Sequence, residues 1–86
     1  MGSYEIRWKH GVARDLRKQD KQVVVRIITA VEGLADNPVP PDSRKLSGTE
    51  QHYRVRVGDY RIIYTVDHAG KLVVIQHVRH RREAYR

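Results

Sequence analysis

A chain of 86 residues suits one domain, and folding at this size buries only about 60% of the surface the unfolded chain exposes, so the core must be thin. It contains no Cys, which excludes a disulfide framework and a thiolate metal or redox centre, and no apolar run approaches the ~20 residues of a membrane span. The formal charge of +7 and a pI near 10.1 favour a polyanionic partner.

Tyr4-Glu5-Ile6-Arg7-Trp8-Lys9 alternates apolar and charged side chains, the pattern of a short half-buried strand. Val12, Ala13 and Leu16 then fall at helical spacing on a short amphipathic helix ending near Lys18-Gln19. Asp20 can cap a longer helix whose apolar stripe is Val24, Ile27, Ile28, Val31, Leu34 and Ala35, and Asp36-Asn37-Pro38 stops it. Pro38 to Glu50 reads as a loop carrying the basic pair Arg44-Lys45. Strands follow: Tyr53 to Val57, a Gly58-Asp59 hairpin turn, Tyr60 to Val66, a turn over Asp67 to Gly70, and Leu72 to Val78. The expected architecture is β-α-α-β-β-β, an α+β domain spanning 1–86 with a helical hairpin on one face of a mainly antiparallel sheet. No signal-peptide pattern opens the sequence, so a reducing, cytoplasmic location is expected.

Charge is unevenly placed. Residues 1–52 carry 9 basic and 7 acidic side chains, a net of +2, whereas residues 53–86 carry 8 and 3, a net of +5. All but Lys71 of the latter are Arg, whose planar fork binds phosphate bidentately where Lys acts as a point charge.

The two-residue turn permits a register by hand: Val57 opposite Tyr60, Arg56 opposite Arg61, Val55 opposite Ile62, Tyr53 opposite Tyr64. Tyr53, Val55, Val57, Tyr60, Ile62 and Tyr64 then share the core face, and Arg54, Arg56 and Arg61 share the other. Arg56 against Arg61 is a like-charge cross-strand pair, which is destabilising unless an anion sits there; splayed, solvated arginines are the bland alternative. For the last strand, a two- or four-residue turn places Val73, Ile75 and His77 on the core face, whereas a three-residue turn would invert this, and His77 reads as a satisfied core or edge histidine rather than a catalyst. Beyond it lies Arg79-His80-Arg81-Arg82-Glu83-Ala84-Tyr85-Arg86, a basic tail with an aromatic near its end.

Lys45-Leu46-Ser47-Gly48, the block Tyr53-Arg54-Val55-Arg56-Val57-Gly58-Asp59-Tyr60-Arg61-Ile62-Ile63-Tyr64, and the stretch from His77 to Arg86 together resemble the RelE branch of the RelE/ParE toxin superfamily. The resemblance covers nearly the whole chain. It implies a toxin of a type II toxin–antitoxin system, a ribosome-dependent endoribonuclease that cuts mRNA in the decoding site of the small ribosomal subunit. Its expected partners are mRNA, the ribosome and a cognate antitoxin, with no membrane and no cofactor. The family's functional positions fall on Arg54, Arg56, Arg61, Arg81 and Tyr85. Arg44, Lys45, Arg79, His80 and Arg82 add nucleic-acid-binding candidates. This chain departs from many relatives in having Arg at both positions of the strand before the hairpin, where Lys is common, and Arg79 where Gly is common.

Metal-free RNA cleavage uses the substrate's 2′-hydroxyl and leaves a 2′,3′-cyclic phosphate. It needs a base, charge stabilisation and help for the leaving 5′-oxygen. The sequence has no carboxylate pair or His/Cys/Asp cluster at metal-ligand spacing, which points away from a metal nuclease. Arginine keeps its proton, so Arg54, Arg56 and Arg61 are expected as phosphate clamps and Arg81 at the leaving oxygen. Tyr85 is a candidate base: one Arg about 5 Å away at an effective dielectric near 20 contributes roughly 3 kcal/mol, or about 2 pKa units downward from about 10. A base-stacking platform is the competing role for Tyr85, and His80 is a reserve proton carrier. Two other functions stay open, a ParE-like non-enzymatic gyrase inhibitor and a plain RNA-binding module. Arg81 and Tyr85 weigh against the first, and the second predicts salt-sensitive binding without cyclic-phosphate product.

Overall fold

The computed structural model describes residues 3–46 and 51–80. In chain order these form β1 (Glu5–Trp8), α1 (Val12–Leu16), α2 (Lys21–Gly33), β2 (Arg44–Lys45), β3 (His52–Val57), β4 (Tyr60–Asp67) and β5 (Leu72–His80). The strands make a five-stranded sheet in the order β1-β5-β4-β3-β2, antiparallel except that β1 runs parallel to β5. This is the expected α+β architecture with one addition. Arg44–Lys45, expected in a loop, pairs with Arg54 and Tyr53 as a short edge strand. Two residues among prolines are too few to display a strand period.

Gly11 precedes α1 at φ 89°, a left-handed conformation that Gly adopts without steric cost. The helix stops at Leu16, short of the expected Lys18-Gln19, where the chain tightens into i−3 bonds from Lys18 N–H to the Asp15 carbonyl and Gln19 N–H to the Leu16 carbonyl. Asp20 does occupy the N-cap position of α2, but its side chain makes no capping bond.

Both helices cover one face of the sheet. Leu16, Ile27, Val31 and Leu34 from the helical side pack with Val55, Ile62, Tyr64, Val66, Val73 and Ile75 of the strands, all 6% exposed or less. Burying each such aliphatic side chain is worth about 1.5–3 kcal/mol. The stripe of α2 differs from the expected one by a slight rotation. Val23 and Ala30 pack at the core's margin, whereas Ile28 is 39% exposed.

Tyr64 is fully buried, stacks on Tyr53 with ring centroids 5.9 Å apart, and donates its hydroxyl to the Pro38 carbonyl at 2.8 Å. That bond ties the end of the α2 connection to the middle of the sheet. Burial pushes the Tyr64 phenol up to about 12; the Ser43 hydroxyl partly offsets this, and Tyr53 and Asp42 add to it. The unfolded value is near 10, so the associated stability, about 3 kcal/mol, is complete below pH 10 and is lost as the pH climbs toward 12. Tyr64→Phe strands the Pro38 carbonyl. It is expected to cost about 1–2 kcal/mol in urea denaturation at neutral pH, and to remove the last phenolate step from an alkaline absorbance titration.

Candidate nucleic-acid interface

The hairpin register is the expected one: Tyr53 opposite Tyr64, Val55 opposite Ile62, Arg56 opposite Arg61 and Val57 opposite Tyr60. With the helices on the face of Val55, Ile62 and Tyr64, the opposite face presents Arg54 and Arg56 of β3 and Arg61, Ile63 and Thr65 of β4. Arg44 of β2 sits opposite Arg54 and joins them. No described helix covers this second face.

The last strand departs from simple alternation. Asp67 pairs with Leu72 across a four-residue connection and Tyr64 with Ile75, but Ile63 pairs with His77, so Gln76 is an extra residue in β5. It forms a β-bulge, which places two residues of one strand against one of its neighbour. Gln76 donates from Nε2 to Thr65 Oγ1 at 3.3 Å, so its side chain lies on the arginine face. His77, opposite Ile63, lies there too, contrary to its expected place on the core face. The parity of everything after the bulge is reversed. Val78 turns inward opposite Ile62, and Arg79 turns outward opposite Arg61.

The bulge thereby completes a row of three arginines, Arg56, Arg61 and Arg79, on three adjacent strands. Neighbouring strands are spaced about 4.8 Å apart, so the backbone positions that carry the three arginines span roughly 10 Å. Two charges 6 Å apart repel by about 0.7 kcal/mol even at the dielectric of water, and by more beside a protein surface. An ion pair joins Arg7 to Glu5, and among the described residues neither Arg56 nor Arg79 is paired with a carboxylate. A phosphate laid across the row would turn the repulsion into attraction, with bidentate guanidinium contacts to its oxygens.

The other candidates are divided. Lys45 pairs with Tyr53 and so belongs to the opposite face from Arg44. His80 sits opposite Tyr60 on the helix side, its ring edge-on to the Tyr60 ring with centroids 5.1 Å apart. Tyr60 in turn donates its hydroxyl to Gln19 Oε1 at 2.8 Å. Arg81, Arg82 and Tyr85 lie outside the described residues. Sequence reasoning missed His77 and Gln76 as members of the arginine face, because no Gly or Pro in β5 marks the bulge.

The row also costs stability, which gives it a clean signature. Arg56→Glu puts an opposite charge against Arg61 and is expected to raise folding stability by roughly 0.5 kcal/mol. The same change should weaken binding of a single-stranded RNA oligonucleotide, with the slope of log K against log salt falling by about 0.7 or more. Thermal unfolding and fluorescence anisotropy at several salt concentrations measure the two effects.

Residues 6–85 match the family model described as ParE toxin of type II toxin-antitoxin system, parDE. Toxin RelG of Mycobacterium tuberculosis is 32% identical over 87 residues, covering 96% of this chain and 97% of that protein. Toxin RelE3 of Methanocaldococcus jannaschii is 37% identical over 76 residues, 84% of each. Among solved structures, the archaeal RelE–RelB complex from Pyrococcus horikoshii OT3 contains a chain that superposes with a TM-score of 0.83 at 32% identity, over 92% of this chain and 96% of that one. A family-model match over residues 6–85, relatives named RelG and RelE3, and a chain of a RelE–RelB complex that superposes over 92% of this one lead to one conclusion: the chain belongs to the RelE/ParE superfamily of type II toxin–antitoxin toxins, as a RelE-type member.

Proposed function

We propose that this chain, as a single toxin domain of residues 1–86, is a ribosome-dependent endoribonuclease that cleaves mRNA in the ribosomal decoding site and so halts translation. The observation that carries this reading is the Arg56–Arg61–Arg79 row on the uncovered face of the sheet. Three guanidiniums carried on adjacent strands can converge on one phosphodiester and neutralise the charge that builds on its equatorial oxygens as the 2′-hydroxyl attacks. Arg54 and Arg44 extend the same face toward the flanking phosphates. Arg81 and Tyr85, in the tail, are cast as the group that neutralises the leaving 5′-oxygen and as a base or stacking platform.

The ribosome has a physical role in this reading. Exposed arginines in water are screened, so the free toxin binds RNA loosely, and an enclosing surface that excludes water strengthens each contact. A cognate antitoxin is part of the proposal. Toxins of similar fold are found in RelE–RelB complexes, and an acidic or amphipathic partner laid on a +7 protein would neutralise it.

A gyrase-directed activity is the second reading, favoured by the ParE description of the matching family model. Induced cells separate the two: loss of protein synthesis supports the nuclease, and accumulating DNA damage supports gyrase. The direct test is purified protein with programmed ribosomes, with the cut and its end chemistry mapped. A 2′,3′-cyclic phosphate is expected at the 5′ fragment's end. In that assay Arg81→Ala and Tyr85→Phe should each slow cleavage at least about 100-fold without lowering the melting temperature. Wild-type rates in both variants would remove the tail from the mechanism.

A further inference from the structure

The Gln76 bulge does more than turn Arg79 outward. It places a histidine on the arginine face, one same-side position along β5 from Arg79 and diagonal to Arg61. Residues two apart on a strand are separated by about 7 Å, the scale on which a nucleotide's sugar follows its phosphate. An RNA strand running along β5 with one phosphodiester gripped by Arg61 and Arg79 would set the ribose of an adjoining nucleotide over His77 and Ile63. We propose, building on the nuclease reading above, that His77 is a catalytic residue that accepts the proton of the attacking 2′-hydroxyl.

The surroundings suit that task. Charged groups approach His77 from each neighbouring element: Arg79 on β5, Arg61 across on β4, Lys9 just after β1, and Asp15 on α1, which shares with His77, Val78 and Arg79 an open groove of about 290 Å³. Partial loss of hydration, then Arg79 and Lys9, hold the imidazole below its ordinary value. It is thus neutral near pH 7 and able to take a proton. His80, by contrast, is turned toward Tyr60 on the other side of the sheet.

The step balances without a co-reactant. The 2′-oxygen forms a bond to phosphorus as its proton passes to a ring nitrogen of His77. The P–O5′ bond breaks, and the 5′-oxygen leaves with a proton drawn from solvent or from an acid in the site. The imidazolium then returns its proton to water, leaving a 2′,3′-cyclic phosphate and a 5′-hydroxyl. Sequence reasoning put Tyr85 in this role, and the two assignments differ in their pH dependence. A histidine base below the usual imidazole value gives a rate that rises with pH from acid and levels off before neutrality. A tyrosine base gives a rate still rising above neutral pH.

The experiment is single-turnover cleavage of ribosome-bound message from acid to mildly alkaline pH, by wild type, His77→Asn and His77→Ala. His77→Asn is expected to lose the acid limb and to fall about 100-fold or more at the plateau. It should keep wild-type melting and RNA affinity, since its position is exposed and the arginines are intact. Added imidazole should restore part of the His77→Ala rate. A wild-type plateau and limb in His77→Asn overturns the assignment while leaving the nuclease intact. If wild type itself yields no cyclic phosphate at any pH, the nuclease reading falls and takes this one with it.

Discussion

The two-residue turn at Gly58-Asp59 is the constraint on which the rest depends. Gly58 sits at φ 59°, the positive value that a tight hairpin requires and that glycine supplies without strain. The turn is also docked: a Cβ at Gly58 would lie 3.1 Å from the Arg26 guanidinium of α2. Register is therefore set at a turn against which the α2 side chain of Arg26 lies. A slip of one residue would send every β3 side chain to the other face, so the buried valines and the exposed arginines stand or fall together.

The buried core and the arginine row are consequently placed on opposite sides of the same strands. The helix side holds the buried aliphatic cluster and the Tyr64 bond to Pro38. It contributes enough to tolerate a row of like charges across three strands on the reverse. A domain this small has little stability to spare, and the repulsion is eased because Arg56 and Arg79 are long and exposed on either side of the half-buried Arg61. The strands beneath the row are held from the other side, so the core fixes the backbone positions from which its arginines project.

Much of this arrangement was readable from the residues. Clean alternation from Tyr53 to Val57, a Gly-Asp turn and a second alternating run permit a register without coordinates, and Arg56 opposite Arg61 follows from it. The α2 stripe was read slightly rotated, because Ile28 and Ile27 are equally apolar and only packing separates them. The edge strand at Arg44–Lys45 is stabilised by pairing with β3 rather than by its own pattern. The misplacement of His77 has a different origin. Counting by twos assumes that no residue is inserted, and Gln76 carries no backbone signature that would announce the insertion.

That insertion bears on how such a protein can change over time. A substitution alters one side chain and leaves its neighbours where they were. The face to which residues 77–80 belong depends instead on the bulge that absorbs the extra residue Gln76 between Ile75 and His77. Deleting Gln76 would leave His77 and Arg79 outward in plain alternation with the same partners, whereas straightening β5 with every residue kept would exchange them for Val78 and His80 on the exposed side. The placement of the histidine thus tolerates the loss of a residue at that point and not the loss of the irregularity.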